Sequence, residues 1–530
     1  MNRSGLWTLA VLVLAGVGCM ALGGWLRAIY FPQWFENQPP SEFRPWAAEA
    51  DCYSQLARVQ RILDGQGLIQ NHFTVENWPE GLVPSTTAPF DYAILLLYAP
   101  LKLFVKYPLD WAGALISPFL WACLIVFWIF FRSREFNFTG KLVLLFGSTV
   151  LPTIIWATAF GRPRHQSLIL VLLAIAFTAE YERWHLELSP KRAWNIFAGI
   201  IWGLACWTSL FEPQIIVTLL IVYNLIVRRR ESPAFLISYG SVMLIALLAE
   251  GVHVFVPPPE YHDALLRWFT TIDELHGYDF ATFMVQMTFI TFVLPFLAWG
   301  LLRRGGDYRT DLFLVLLTIL LTFVITFESR WSYYASLGGL FILARYCQVE
   351  PLRWSRIVVY VLFLIGVIDA DTKLIDAHAK ALPFQPALEV LQISHSIDQP
   401  GGIMAPWWLS PGLLYFSGQP IVSGSSHCGI SGIVSSAQFY AATDWNTAEK
   451  ILRDRRVHWV VVFDNPVYVY PVLNTARGVL GLPDYTDDNK GDAETTVAQQ
   501  LINFQGVPTE LRLRSVTQQL KLYEFEPEAR

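Results

Sequence analysis

The chain has 530 residues, 54% hydrophobic and only 15% charged, with a mean hydropathy of +0.40. That balance belongs to an integral membrane protein, and a net charge of −5 gives no basis for nucleic-acid binding. Six cysteines (Cys19, Cys52, Cys123, Cys206, Cys347 and Cys428) form no CxxC pair, which argues against a zinc site or a disulfide scaffold. Free thiols are expected, with Cys52 and Cys428 the one pair able to meet outside a membrane.

In chain order, apolar runs lie near Leu6–Leu26, Leu109–Phe131, Leu142–Phe160, Ser167–Tyr181, Trp194–Leu210, Ile215–Val227, Ala234–Val256, Thr282–Leu302, Leu312–Phe327, Ala335–Arg345 and Ile357–Val367. A crossing helix needs about 20 apolar residues, so some of these are short. Read together they predict eleven spans. The first, with a 21-residue run, is expected to be an uncleaved anchor rather than a signal peptide. The segment Asp91–Val105, about 15 residues long and holding Pro100, is expected to lie at the outer surface or to dip in part way.

Orientation follows from basic residues. Five short loops carry three each: Arg132, Arg134 and Lys141; Arg183, Lys191 and Arg192; Arg228, Arg229 and Arg230; Arg303, Arg304 and Arg309; Arg345, Arg353 and Arg356. The alternate loops hold only Arg162, Arg164, Arg267 and Arg330. The positive-inside rule places the first set and the N-terminus in the cytoplasm and the C-terminal domain outside, as suits a bacterial inner membrane. The predicted fold class is therefore an α-helical polytopic membrane protein over residues 1–368, with outer loops 30–108 and 256–281, followed by a soluble extracytoplasmic α/β domain over 369–530. In that domain Gly402–Ala405 and Pro420–Ser423 read as short strands. Asn446 with Glu449 reads as a helix-capping pair, Val457–Phe463 as a buried parallel strand and Leu520–Phe525 as an alternating, closing strand.

Four polar groups are candidates for chemistry. In Glu49-Ala-Asp51-Cys-Tyr-Ser-Gln55-Leu-Ala-Arg58, a helix near Glu49–Leu63 puts Asp51, Gln55 and Arg58 on one face, either as a metal- or anion-binding face or as an exposed helix with an internal salt bridge. Gly161-Arg162-Pro163-Arg164-His165-Gln166 suits bidentate phosphate binding or headgroup anchoring. The loop Val256–Phe280 holds Glu260, Asp263, Asp273, Glu274 and His276, whose carboxylates suit a hard divalent cation or a general base, or simply solvation. Glu212 and Glu328-Ser329-Arg330-Trp331 embed charges at span ends, which implies function or pairing. All four fall on the outer side of the predicted topology.

Several of these stretches resemble the GT-C membrane glycosyltransferases, and among them the catalytic subunit of oligosaccharyltransferase with its bacterial and archaeal relatives. Thr271-Ile272-Asp273-Glu274 matches the TIxE motif of the large outer loop, and Glu49-Ala50-Asp51 sits where the family has its first acidic motif. Trp78-Pro79-Glu80-Gly81, Arg330-Trp-Ser-Tyr-Tyr334 and Trp407-Trp408, the last similar to the WWD motif, add to the likeness. The resemblance implies transfer of a sugar or oligosaccharide from a polyprenyl-phosphate or polyprenyl-diphosphate donor to a protein, lipid or glycan acceptor at the outer membrane face. It implies Asp51, Glu274 and Arg330 as catalytic residues, and Arg58, Arg164, His165, Thr271, Trp407 and Trp408 as substrate-binding. A divalent cation, Mn²⁺ or Mg²⁺, would sit on Glu49, Asp51 and Glu274. Two positions depart from the pattern: Arg164 stands where the second acidic motif should supply a carboxylate, so that either Glu49, Glu212 or His165 completes the metal site or Arg164 and His165 replace the metal's charge, and Leu409 stands where WWD has its Asp. Two other readings compete: a transporter or flippase of lipid-linked glycans, and an inactive glycosyltransferase-like subunit. Transporters place ionisable groups at the bilayer midplane, whereas these cluster at outer span ends.

Overall fold

Each apolar run read from the sequence carries a helix in the computed structural model, which describes residues 3–29, 44–84, 87–131, 133, 135–184, 192–251, 255–287, 290–304, 308–349, 353–380, 386–464, 471–486, 488 and 490–526. Arg132, Arg134 and Lys191 of the basic loops, and the start of the first outer loop, lie outside the described residues. The chain divides into two compact units: Met1–Pro45, Tyr92–Ala249 and Glu274–Leu382 form the first, and Trp46–Asp91, Glu250–Asp273 and Pro383–Arg530 the second. The second unit thus recruits two segments that the sequence reading assigned to the outer loops of the bundle.

The first unit is helical. Ser332–Val349 is buried along nearly its whole length and packs against Phe138–Val150, Ile290–Arg304 and Tyr308–Val324. Arg3–Ile29, Pro108–Phe130, His165–Arg183 and Arg192–Thr208 complete the same apolar core. The run 142–160 is not one helix. It stops at Val150 and restarts over Pro152–Ala157, because Leu151 precedes a proline and is held extended (φ −68°, ψ 122°). By length and composition, three described helices suffice to cross a bilayer: Leu6–Ile29, Pro108–Phe130 and Pro233–Glu250. Others, such as Phe138–Val150 and Glu212–Ile226, are apolar but shorter. Large apolar side chains on these helices face outward, Leu14, Leu248 and Phe296 among them, as a lipid-facing surface requires.

Two arginines of the predicted cytoplasmic loops do more than bias topology. Arg183 is buried between Glu180 and Glu231 (2.6 Å to each), and Arg345 bridges Asp311 (3.2 Å) and Glu135 (3.1 Å). Buried charges persist only when paired, so these contacts fix helix ends to one another.

The second unit is built on a four-stranded mixed sheet, β1 (Gly402–Met404), β2 (Val457–Phe463), β3 (Leu511–Val516) and β4 (Leu520–Phe525), in the order β1-β2-β4-β3. β1 and β2 are parallel, as the apolar run of β2 predicts; β4 is antiparallel to both its neighbours. Three readings are corrected. Leu520–Phe525 is a central strand buried on both faces, not an alternating edge, and β3 closes the sheet instead. Pro420–Ser423 forms only isolated bridges, through Ile421 to Ile403 and to Glu76. The helix Trp445–Asp454 is capped by Asp444, whose side chain accepts from Thr447 N, so the cap falls two residues before Asn446.

The segment Asn77–Gly81 is a structural dock rather than a loose loop. Asn77 is buried; its side-chain oxygen accepts from Gly432 N (2.8 Å) and Ser431 Oγ (2.9 Å), and its amide donates to Gly81 O (2.9 Å). Gly432 is forced by close approach, since a Cβ there would lie 1.9 Å from the Val422 carbonyl oxygen. Gly432→Ala is expected to lower the thermal midpoint of the purified protein by an amount equivalent to about 1–3 kcal/mol, the cost of displacing a buried hydrogen-bonded backbone. An unchanged midpoint in a detergent melt would refute the docking role. All six cysteines are free.

Candidate functional site

The site in the first unit starts from Gly161, whose φ of +74° turns the chain out of the short helix Pro152–Ala157 in a conformation only glycine adopts freely. The turn is fastened through the backbone: Gly161 N donates to Ala114 O (2.9 Å), Ser117 Oγ to Arg162 O (2.6 Å) and Ser167 Oγ to Arg164 O (2.8 Å). Arg164 then caps the helix His165–Arg183, with His165 as its first residue. The polar hexapeptide is therefore a rigid turn that aims two guanidiniums.

Both reach Glu274. Arg162 Nη2 donates to Glu274 Oε1 at 3.0 Å, and Arg164 Nη1 pairs with the same oxygen. Arg162 is only 2% exposed. It also donates to Trp156 O (3.1 Å) and Tyr333 Oη (3.4 Å) and lies over the Trp156 ring. Glu274 sits in the single turn Asp273–Leu275, tied to the turn Ser329–Trp331: Ser329 Oγ donates to Glu274 O (3.2 Å) and Ser329 N to His276 O (2.8 Å). That second turn carries Arg330, which lies over the Phe211 ring, pairs with Glu328 and stands 3.9 Å from the buried Glu212. Burial alone would raise the Glu274 carboxyl, but Arg164, Arg162 and Arg330 outweigh it and hold the group at about 2.

The second unit holds the other predicted residues. Asp51 lies in the first turn of the helix Ala50–Leu63 with Glu49 as its N-cap residue, both half-buried. Arg58 and Gln55 face inward on that helix and meet Asp91, Arg58 Nη2 at 2.5 Å, so Arg58 is paired to an acid outside its own helix. Glu76 is buried 3% exposed, accepts from Ser426 N (3.3 Å) and feels Asp51. Burial, reinforced by Asp51 and countered by that hydrogen bond and Arg58, pushes its carboxyl up to about 7. Trp407 packs edge-on between Trp268 and Trp408 (ring centroids 5.6 Å to each), while Leu409 is buried in the apolar core. Thr271 donates its hydroxyl to Trp268 O (2.7 Å), closing the helix His262–Phe269.

The structure thus gathers Arg164, Glu274 and Arg330 with Arg162 in one unit, and Asp51 with Arg58 and Glu76 in the other. Asp91 and Glu76 are absent from the candidates read from the sequence, and Arg162, named there within its hexapeptide, was given no role of its own. Asp91 carried a signal, being an acid within an apolar run. Arg162 carried one too, lying beside Arg164 in the same hexapeptide. Glu76 carried none. Within each unit, the described residues hold no group of three or more His, Cys, Asp or Glu able to bind a metal.

This architecture is the GT-C fold of the oligosaccharyltransferases. No protein-family profile and no curated protein matches the chain. Among solved structures it is similar to the oligosaccharyltransferase AglB from Archaeoglobus fulgidus in complex with an inhibitory peptide and a dolichol-phosphate (TM-score 0.65, 13% identity, 97% of this chain and 80% of that one). A form of that enzyme tethered to an acceptor peptide with the NVT sequon gives 0.63 at 13% identity over 96% and 79%, and ArnT from Cupriavidus metallidurans gives 0.50 at 12% identity over 98% of each chain. At such identities the likeness establishes the fold alone. The A. fulgidus enzyme has also been solved with Zn and sulfate.

Proposed function

We propose that this chain is a membrane glycosyltransferase that moves a sugar or oligosaccharide from a polyprenyl-phosphate or polyprenyl-diphosphate donor to an acceptor at the outer membrane face. The observation that carries the reading is the TIxE acid, Glu274, held between Arg162 and Arg164 on a rigid turn in a GT-C fold. In the reaction the bond from the anomeric carbon to the phosphate oxygen breaks, and its electron pair leaves on the phosphate. An acceptor heteroatom bonds to that carbon and gives up its proton. Fixed cations beside the departing oxygen stabilise the charge that develops there, which is the largest single contribution in many transfers. On the sequence motif, Asp51 takes the acceptor side, orienting the nucleophile and receiving its proton. Leu409, buried where the motif has an acid, leaves Trp407 and Trp408 without the carboxylate of a sequon-reading site, which favours an acceptor other than Asn-X-Ser/Thr.

The test is release of lipid phosphate from labelled polyprenyl-phosphate and polyprenyl-diphosphate sugars by the purified protein. Asp51→Ala is expected to abolish release while preserving the folded chain. Donor binding without release from any sugar tried would move the assignment to a carrier of lipid-linked glycans or to an inactive subunit.

A further inference from the structure

Among the described residues of the first unit, the surroundings of Glu274 do not fit a divalent cation. Mg²⁺ and Mn²⁺ are held by oxygen lone pairs, one or two protein carboxylates among them, and such a carboxylate must keep its lone pairs free for the ion. In the first unit the motif acid Glu274 already receives Arg162 at 3.0 Å and Arg164 on the same oxygen, so an approaching cation meets two guanidiniums. Nor is this arrangement a loose surface contact. Arg162 is fixed by Trp156 and Tyr333, and the backbone carrying both arginines is fastened through Ala114, Ser117 and Ser167. Two fixed guanidiniums carry the formal charge of one divalent ion, and their forked donors match the oxygens of a phosphate.

From this geometry we infer that Arg162 and Arg164 form a seat for the lipid phosphate that replaces a divalent cation, with Glu274 as the internal anion the phosphate displaces. This inference rests on the glycosyltransferase reading of the same site and specifies how that site meets its donor. When the anomeric carbon–oxygen bond breaks, the electron pair moves onto a phosphate oxygen already paired with guanidinium N–H groups. No metal enters the step. Glu274, freed from one or both arginines, stays beside Arg330, which the adjoining turn carries and which also lowers its carboxyl.

The experiment uses the full-length protein in detergent, with undecaprenyl phosphate and Mn²⁺ as probes. Lipid-phosphate affinity is expected to be the same in excess EDTA and in Mn²⁺, and to fall at least about tenfold in Arg164→Ala, the scale of one charge-assisted contact. Arg164→Lys, which keeps the charge and guards against a misfolded alanine variant, is expected to fall between the two. Paramagnetic resonance should find Mn²⁺ free at a one-to-one ratio with wild-type protein. Stoichiometric Mn²⁺ binding that Glu274→Gln abolishes would overturn the inference. So would a lipid-phosphate affinity that EDTA lowers, or one that Arg164→Ala leaves intact. If the phosphate binds as described but no sugar donor is turned over, the seat stands and the glycosyltransferase reading fails, so the two can be told apart.

Discussion

Arg162→Ala should lower the turnover of a polyprenyl-phosphate sugar by about 10²–10³-fold, the usual cost of deleting one fixed donor at a developing oxyanion. The side chain is almost wholly buried and binds Glu274, Trp156 and Tyr333 at once, so its loss removes both charge and the scaffold that aims it. Arg162→Lys separates these parts. A lysine restores a point charge but not the forked donors or the stacking over Trp156, and should recover only a fraction of the lost rate. A fall in kcat with KM little changed would show that the guanidinium acts chiefly in the transition state. A rise in KM alone would make it a ground-state anchor. The ion pair itself resists acid. With its folded value held below the ordinary one, Glu274 contributes stability that is fully present above about 4.5 and is lost only as pH falls through about 2. The pH profile of turnover in the neutral range therefore belongs to other groups.

Much of this was legible in the sequence because the features involved are local. Apolar runs became helices, and the parallel strand Val457–Phe463 was visible as an unbroken apolar stretch. TIxE marked Glu274, and the polar hexapeptide marked Arg164. What escaped was set by distant partners. That a basic residue could replace the metal's charge was legible from Arg164, but that Arg162 rather than His165 joins it on Glu274 depends on residues more than a hundred positions away. Arg58 has an acid on its own helix face, yet it also pairs with Asp91 across 33 residues, which no helical spacing reveals. The strand Leu520–Phe525 looked amphipathic from its lysine and glutamate. In the fold Lys521 and Glu524 are both buried, Glu524 against Arg514 (3.1 Å) and His458 (3.2 Å), which turns polar positions inward. Helix number is harder still, since short apolar helices such as Phe138–Val150 rely on neighbours for burial rather than on their own length.

Glu76 gives the second large effect, and its sign is opposite to that of Glu274. The carboxyl is buried near Asp51, accepts from the Ser426 N–H, and is pushed up to about 7. A carboxyl whose folded value is raised contributes stability that is fully present below its ordinary value near 4.5 and is lost as pH rises through about 7. The span between those two values corresponds to about 3.5 kcal/mol at most, at roughly 1.4 kcal/mol per unit. Asp91, raised to about 6 by burial despite Arg58, adds a smaller loss of the same sign over the lower part of that range. Thermal midpoints of the wild-type protein in detergent should therefore fall between pH 5 and pH 8, well above the range in which Glu274 titrates. Glu76→Gln keeps the shape and the hydrogen-bond acceptor but cannot ionise. Its midpoint should fall less over the same interval and should exceed that of the wild type above pH 7. Parallel curves for the two proteins would mean that Glu76 is already ionised in the fold, its charge carried by Arg58.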